Sequence, residues 1–132
     1  MITITDVLKE LGISDYIVRG EPTNETEFNS MFVRVTAVDE EGNLTEETNP
    51  ANFGVTWTEI SAKKTELENN ESLKLLRIHR NVKLAETDWV VTMHKELGTN
   101  IPAAWKTYRQ ELRDITETYS DLDSVVWPTK PE

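Results

Sequence analysis

Two histidines, His79 and His94, are the only side chains in this chain whose ordinary pKa lies near neutrality. Neither stands in a Ser/His/Asp, His/Cys or His-x-x-x-His pattern of the kind that nucleophilic or metal chemistry requires. Both read as structural residues. Carboxylates number 24, but acid–base catalysis needs two of them converging on one pocket with their pKa values pushed apart, a property of the fold and not of spacing. The five glycines form neither GxGxxG nor GxxxxGK[ST], so nothing resembles a phosphate cradle. The absence of Cys excludes disulfides, thiolate nucleophiles and thiolate-held zinc or iron–sulfur centres. No catalytic residue, cofactor site or metal site is expected, and the chain reads as a binding protein and not an enzyme.

The chemistry that remains is that of contact. Arg109 and Arg113 lie one helical turn apart and share a face, with Asp114 beside them. Their planar forks can hold carboxylates and helix-end carbonyls inside the domain, which is the favoured reading, or present bidentate donors to a partner. Trp89, Trp105, Tyr108 and Trp127 divide in the same way between core and binding platform. Trp127 stands apart because it precedes Pro128 in an extended tail, where it either folds back as a plug or docks on another protein as an anchor.

These side chains must be positioned by a small fold. A chain of 132 residues, 37% hydrophobic and 29% charged, can bury one modest core or two small ones joined by a helix. Its net charge of −10 is uneven. Residues 1–56 hold 11 acids and 3 bases for −8, leaving 13 acids and 11 bases beyond them. Such a field repels nucleic-acid phosphates and anionic membranes, and reads first as a solubility device and second as an attraction to basic proteins. No apolar run approaches the length of a membrane span, and the first ten residues lack the pattern of a secretion signal, so a cytoplasmic location is expected.

Element by element, Val7, Leu8 and Leu11 predict a short helix over 6–11 stopped at Gly12. Tyr16-Ile17-Val18 reads as a strand, with Ile2–Ile4 as a possible partner. Asn24 and Glu27 form a capping pair for a helix carrying Phe28, Met31, Phe32 and Val35 at helical spacing. From Asp39 to Pro50 the chain reads as an exposed, mobile acidic loop. Thr56 and Glu59 cap a long helix to about Leu84, polar through its middle and weakest at Asn69-Asn70. Thr87-Asp88 then caps a helix ending at Gly98. Asn100 and Pro102 open a last helix whose face is Trp105, Tyr108, Leu112 and Ile115.

The fold class is therefore α+β and predominantly helical: a small N-terminal helix–strand–helix unit, a long connecting helix, and a C-terminal helical unit with an extended Trp-Pro tail. The expected division is an acidic α/β unit at 1–56 and a helical domain at 57–132.

Residues 77–131 resemble the phage tail assembly chaperone family. The resemblance rests on Arg77 and Arg80-Asn81 leading into Lys83-Leu84-Ala85-Glu86-Thr87-Asp88-Trp89, on Trp105, Tyr108-Arg109-Gln110 and Leu112-Arg113-Asp114-Ile115, and on Val126-Trp127-Pro128 with Pro131. Members often have a Pro-containing loop after the Asp-Trp pair, where this sequence has a helical Val90–Leu97 segment. The N-terminal half more loosely resembles small structural-gene products of cyanophages, through Gly20-Glu21-Pro22-Thr23 and Phe53-Gly54-Val55-Thr56-Trp57.

The resemblance implies a non-enzymatic factor in tail or tail-fibre assembly that binds a virion protein in the host cytoplasm, as a monomer or small homo-oligomer. Its candidate partner-binding residues are Asp88, Trp89, Trp105, Tyr108, Arg109, Arg113 and Trp127. Two alternatives are a structural virion component, such as a tail or fibre adaptor, and an acidic DNA mimic or inhibitor.

Overall fold

The computed structural model describes all residues, 1–132. The fold is α+β and predominantly helical. Its elements, in chain order, are α1 (Ile4–Glu10), β1 (Tyr16–Val18), α2 (Glu25–Met31), β2 (Phe32–Val38), β3 (Leu44–Glu47), a 3-10 turn (Pro50–Asn52), α3 (Trp57–Ala85), α4 (Asp88–Leu97) and α5 (Ala103–Thr118). They form two compact units, Met1–Glu68 and Asn69–Glu132, and α3 contributes to both.

In the first unit, side-chain oxygens satisfy the backbone N–H groups that each helix start leaves without partners. At α1 the Asp6 N–H donates to Thr3 Oγ1 while Asp6 Oδ2 accepts from the Thr3 N–H at 2.8 Å, so the helix begins two residues earlier than Asp6. At α2, Asn24 accepts from the Glu27 N–H at 2.9 Å, but the Glu27 carboxylate reaches back past Asn24 to the Thr23 N–H at 2.7 Å. At α3, Thr56 and Glu59 exchange both bonds.

Three sequence expectations fail in this unit. The helix predicted through Val35 ends at Met31, and Phe32–Val38 is a strand. Phe32-Val33-Arg34-Val35 is a β-branched and aromatic run, and it finds pairing partners on both sides that outweigh the accidental helical spacing of Phe28, Met31, Phe32 and Val35. The partner of β1 is β2, antiparallel with Ile17 opposite Val33, because Ile4 is taken up by α1. The segment after Asp39 is also not a loop throughout, since β3 pairs antiparallel with β2 through a bulge between Val35 and Ala37. The Asp39 carboxylate organises that hairpin turn by accepting from the Glu41 and Asn43 N–H groups, and Gly42 supplies the positive φ of 86°. The hairpin remains exposed.

The core of this unit is Ile4, Val7 and Leu8 of α1, Phe28, Phe32, Phe53, Val55 and Ile60. Phe32 lies at its centre, with ring centroids 4.9 Å from both Phe28 and Phe53 and 5.5 Å from Tyr16. Such contacts add about 0.5–1.5 kcal/mol per pair beyond area burial.

The predicted break at Asn69-Asn70 does not occur, and α3 runs without interruption for 29 residues. An Asn costs a helix only about 0.7 kcal/mol relative to Ala, too little to break a helix that buries side chains in two cores. In the second unit the buried side chains are Leu76, Thr87, Val90, Tyr108, Leu112 and Ile115. Arg80 meets the Arg113 carbonyl and Arg109 meets the Leu84 carbonyl, so α5 runs antiparallel to the end of α3. Gly98, at φ 67°, ends α4, where its N–H and that of Thr99 return to the last carbonyls.

Replacing Phe32 with Ala is expected to destabilise the first unit by about 3–5 kcal/mol, the usual cost of emptying a large aromatic site. Urea denaturation followed by the fluorescence of Trp57 checks it. A second expectation concerns acid. The hydrogen bonds from Thr3, Thr23 and Asn43 hold the Asp6, Glu27 and Asp39 carboxyls below the usual carboxylate range. A depressed folded-state pKa contributes stability that is present above the ordinary carboxylate pKa and lost as pH falls through the folded values. The melting temperature should therefore fall as pH drops through that window, and Glu27→Gln should flatten the fall.

Candidate protein-binding surface

The turn between α3 and α4 is built around a buried hydroxyl. Thr87 was expected to cap α4, but its side chain makes no capping bond. Its Oγ1 instead donates to the Leu84 carbonyl at 3.0 Å and accepts from Arg109 Nη1 at 2.7 Å. The reason is geometric: only Glu86 and Thr87 separate the two helices, and Thr87 is fully enclosed there. Arg109 Nη1 also donates to the Leu84 carbonyl at 2.8 Å, and Nη2 to Asp88 Oδ1 at 2.8 Å. The guanidinium thus joins a carbonyl at the C-terminal end of α3 to a carboxylate in the first turn of α4. Both placements are favoured by the helix dipoles. Arg109 Nε is buried without a partner, a cost that the other bonds of the fork offset.

The aromatic residues continue from this junction. Trp89 packs edge to face on Trp105, centroids 6.4 Å apart, and Trp105 in turn on Tyr108 at 6.3 Å. Exposure changes steeply along the series: Tyr108 is 4% exposed and Trp105 half-buried, whereas Trp89 at the outer end is 57% exposed. Burial and the nearby Glu86 carboxylate push the Tyr108 hydroxyl pKa up. The tail returns over the helices, with Lys83 Nζ 5.0 Å above the Trp127 ring. Trp127, Val126 and Pro128 line a depression with Ile115, Thr118 and Tyr119.

Of the seven residues singled out in the sequence, Asp88 and Arg109 form one ion pair, and Trp89, Trp105 and Tyr108 form one aromatic series. Arg113 is exposed on α5, where it donates to Gln110 at 3.3 Å. Trp127 lies apart from both groups, half-buried over Lys83. His94 bonds Thr99 at the end of α4 and His79 is exposed on α3, and no cluster of His, Asp and Glu could hold a metal ion. Sequence reasoning missed Thr87 as the buried hub and missed Leu75, Ile78 and Val82 as exposed apolar side chains. The second omission had a signal, namely an i, i+3, i+7 series beside the buried Leu76.

Arg109→Ala should destabilise the second unit by about 2–4 kcal/mol, because it removes three charge-assisted hydrogen bonds made by a largely enclosed guanidinium that ties three helices together. Asp88→Asn should cost under about 1 kcal/mol, since that carboxylate is largely solvated. Hydrogen exchange across residues 84–118 reads both.

No curated protein and no solved structure matches this chain. Residues 73–132 match the family model described as phage tail assembly chaperone protein, and the match covers α5 and the tail, all of α4, and the end of α3 that Arg109 clamps. The C-terminal part of the chain, residues 73–132, is thus similar in sequence to the phage tail assembly chaperone family.

Proposed function

We propose that this chain is a non-enzymatic factor that binds a phage tail or tail-fibre protein during assembly, in the host cytoplasm, as a monomer or small homo-oligomer. Support comes first from the family match at residues 73–132. The physical support is that the matched segment exposes large apolar side chains in spite of its clamped interior: Leu75, Ile78, Val82, Trp89, Leu97 and Val126. A factor that keeps a virion protein from premature association needs such anchors more than it needs a pocket.

Within the seven candidate residues the roles divide by accessibility. Tyr108 and Arg109 hold the scaffold, and Trp105 backs the outermost ring. Trp89 is the anchor, with Asp88 as the adjoining polar residue, while Arg113 on α5 and Trp127 over Lys83 offer separate contacts.

The test is affinity capture of the tagged chain from cells expressing the phage tail genes. Trp89→Ala should leave the melting temperature nearly unchanged, as expected for an exposed side chain, and should sharply reduce recovery of the tail protein. Capture of no tail protein by the unaltered chain would end this reading. Mass spectrometry of purified virions separates the chaperone, absent from finished particles, from a structural component present at stoichiometric copy number.

A further inference from the structure

Residues 39–47 hold five carboxylates, Asp39, Glu40, Glu41, Glu46 and Glu47, and no Lys or Arg. Two cations approach this hairpin from across the sheet. Arg19 pairs with Glu46 at 2.6 Å, while Arg34, opposite Glu47 in the ladder, gives its Nη1 to the Ser14 carbonyl. The hairpin and both guanidinium groups together keep a net charge of −3. Asp39 is committed to the turn and Glu47 accepts the Asn49 N–H, whereas the Glu40 and Glu41 carboxylates have no hydrogen bond or ion pair.

The strand beside these carboxylates is an open edge. The order of the sheet is β1-β2-β3, and β3 is exposed from Leu44 to Glu46, where β1 is half-buried throughout. Which of its backbone groups are available follows from the ladder, since the groups of an antiparallel strand point alternately to its two sides. The Val35 N–H donates to the Asp15 carbonyl on the β1 side at 2.7 Å, so Val35 makes no ladder bond to Glu46, the residue opposite it on β3. At the turn the Asp39 N–H donates to the Asn43 carbonyl at 3.0 Å, so the next pair, Val38 with Leu44, is again one without ladder bonds. The N–H and C=O groups of Leu44 and Glu46 therefore point away from β2, with about 7 Å between the two residues. Natural edges are commonly closed by Pro, Lys or a bulge. β3 contains neither Pro nor Lys, and the bulge lies in β2.

From this juxtaposition we infer that β3 pairs with an extended, basic segment of another protein, added to the sheet as a fourth strand. Its backbone bonds Leu44 and Glu46, and its Lys or Arg side chains meet Glu40, Glu41 and Glu47. An apolar residue covers Leu44 and Val38, which face each other across the ladder at 47% and 61% exposure. A second copy is disfavoured by charge, because two edges of −3 each would meet. Nucleic acid is disfavoured in the same way and has no peptide backbone to offer the edge. The edge lies outside the residues that match the family model, and the inference is independent of the function proposed above.

The probe is a fluorescein-labelled peptide alternating Lys and Val, titrated with the full chain and read by anisotropy. Two further peptides separate charge from backbone pairing: one has Glu in place of Lys, and the other keeps every side chain but is N-methylated along its backbone. The Lys peptide should bind at least about tenfold more tightly than either, the effect of losing one or two hydrogen bonds or charge contacts. In its complex, hydrogen exchange at the Leu44 and Glu46 amides should slow as these N–H groups gain acceptors. Glu46→Pro removes one outward N–H and no ladder bond, so it should leave circular dichroism unchanged and weaken the Lys peptide by about tenfold. Glu46→Gln, which removes the charge alone, should weaken it less.

Binding of the N-methylated or the Glu peptide as tight as that of the Lys peptide, binding of none, or unchanged exchange at Leu44 and Glu46 overturns the inference. So does a dimer in the ultracentrifuge that Glu46→Pro abolishes. Should Glu46→Pro disturb the hairpin, the N-methylated peptide and the exchange measurement decide the matter on the unaltered chain.

Discussion

A guanidinium at the turn between two helices is costly to bury, and the second unit is arranged to recover that cost. Arg109 has three acceptors within reach: the Leu84 carbonyl, the Thr87 hydroxyl and the Asp88 carboxylate. Because the first is the end of α3 and the last the beginning of α4, the same contacts fix where one helix stops and the next starts. Arg109 itself belongs to α5, so its fork ties three helices with one side chain. A lysine could not do this, since a single ammonium offers no rigid fork spanning acceptors on two backbones. Asp88 and Arg109, distant in sequence and both inside the matched segment, are the two ends of one ion pair.

Once that junction is fixed, the surface follows. The aromatic series begins with the buried Tyr108, passes through Trp105, and delivers Trp89 to solvent against a rigid backing. A large ring held in one orientation loses little conformational entropy on contact with a partner, which is the physical advantage of an anchor mounted on a scaffold. Leu75, Ile78 and Val82 are presented similarly, by a helix whose other side carries the buried Leu76.

The acidity of the first unit has a partly local explanation. Asp6, Glu27, Asp39 and Glu59 each accept backbone N–H groups at a helix start or a hairpin turn. Carboxylates in those positions favour the fold directly, through hydrogen bonds and the positive ends of helices, as well as contributing to the net negative field. An excess of acids read only as a field would miss this role.

Local signals determined a good deal. The Thr56–Glu59 pair, the long stretch without Gly or Pro, and Gly98 after Leu97 fixed α3 and the end of α4, because caps and breakers act over a few residues and need no tertiary partner. The 3.6-residue spacing of Tyr108, Leu112 and Ile115 identified the buried face of α5 for the same reason. Tertiary structure decided what depends on who sits opposite. Phe32–Val38 became a strand because β1 and β3 were available to pair with it, and Asn69-Asn70 stayed helical because packing at both ends outweighed a small local penalty. Thr87 gave up its capping role to bond Arg109, and Leu75 became exposed where Leu76 was covered. Each of these outcomes turns on contacts between residues far apart in the chain, whose energies are comparable to or larger than local preferences, and spacing along one sequence does not encode them.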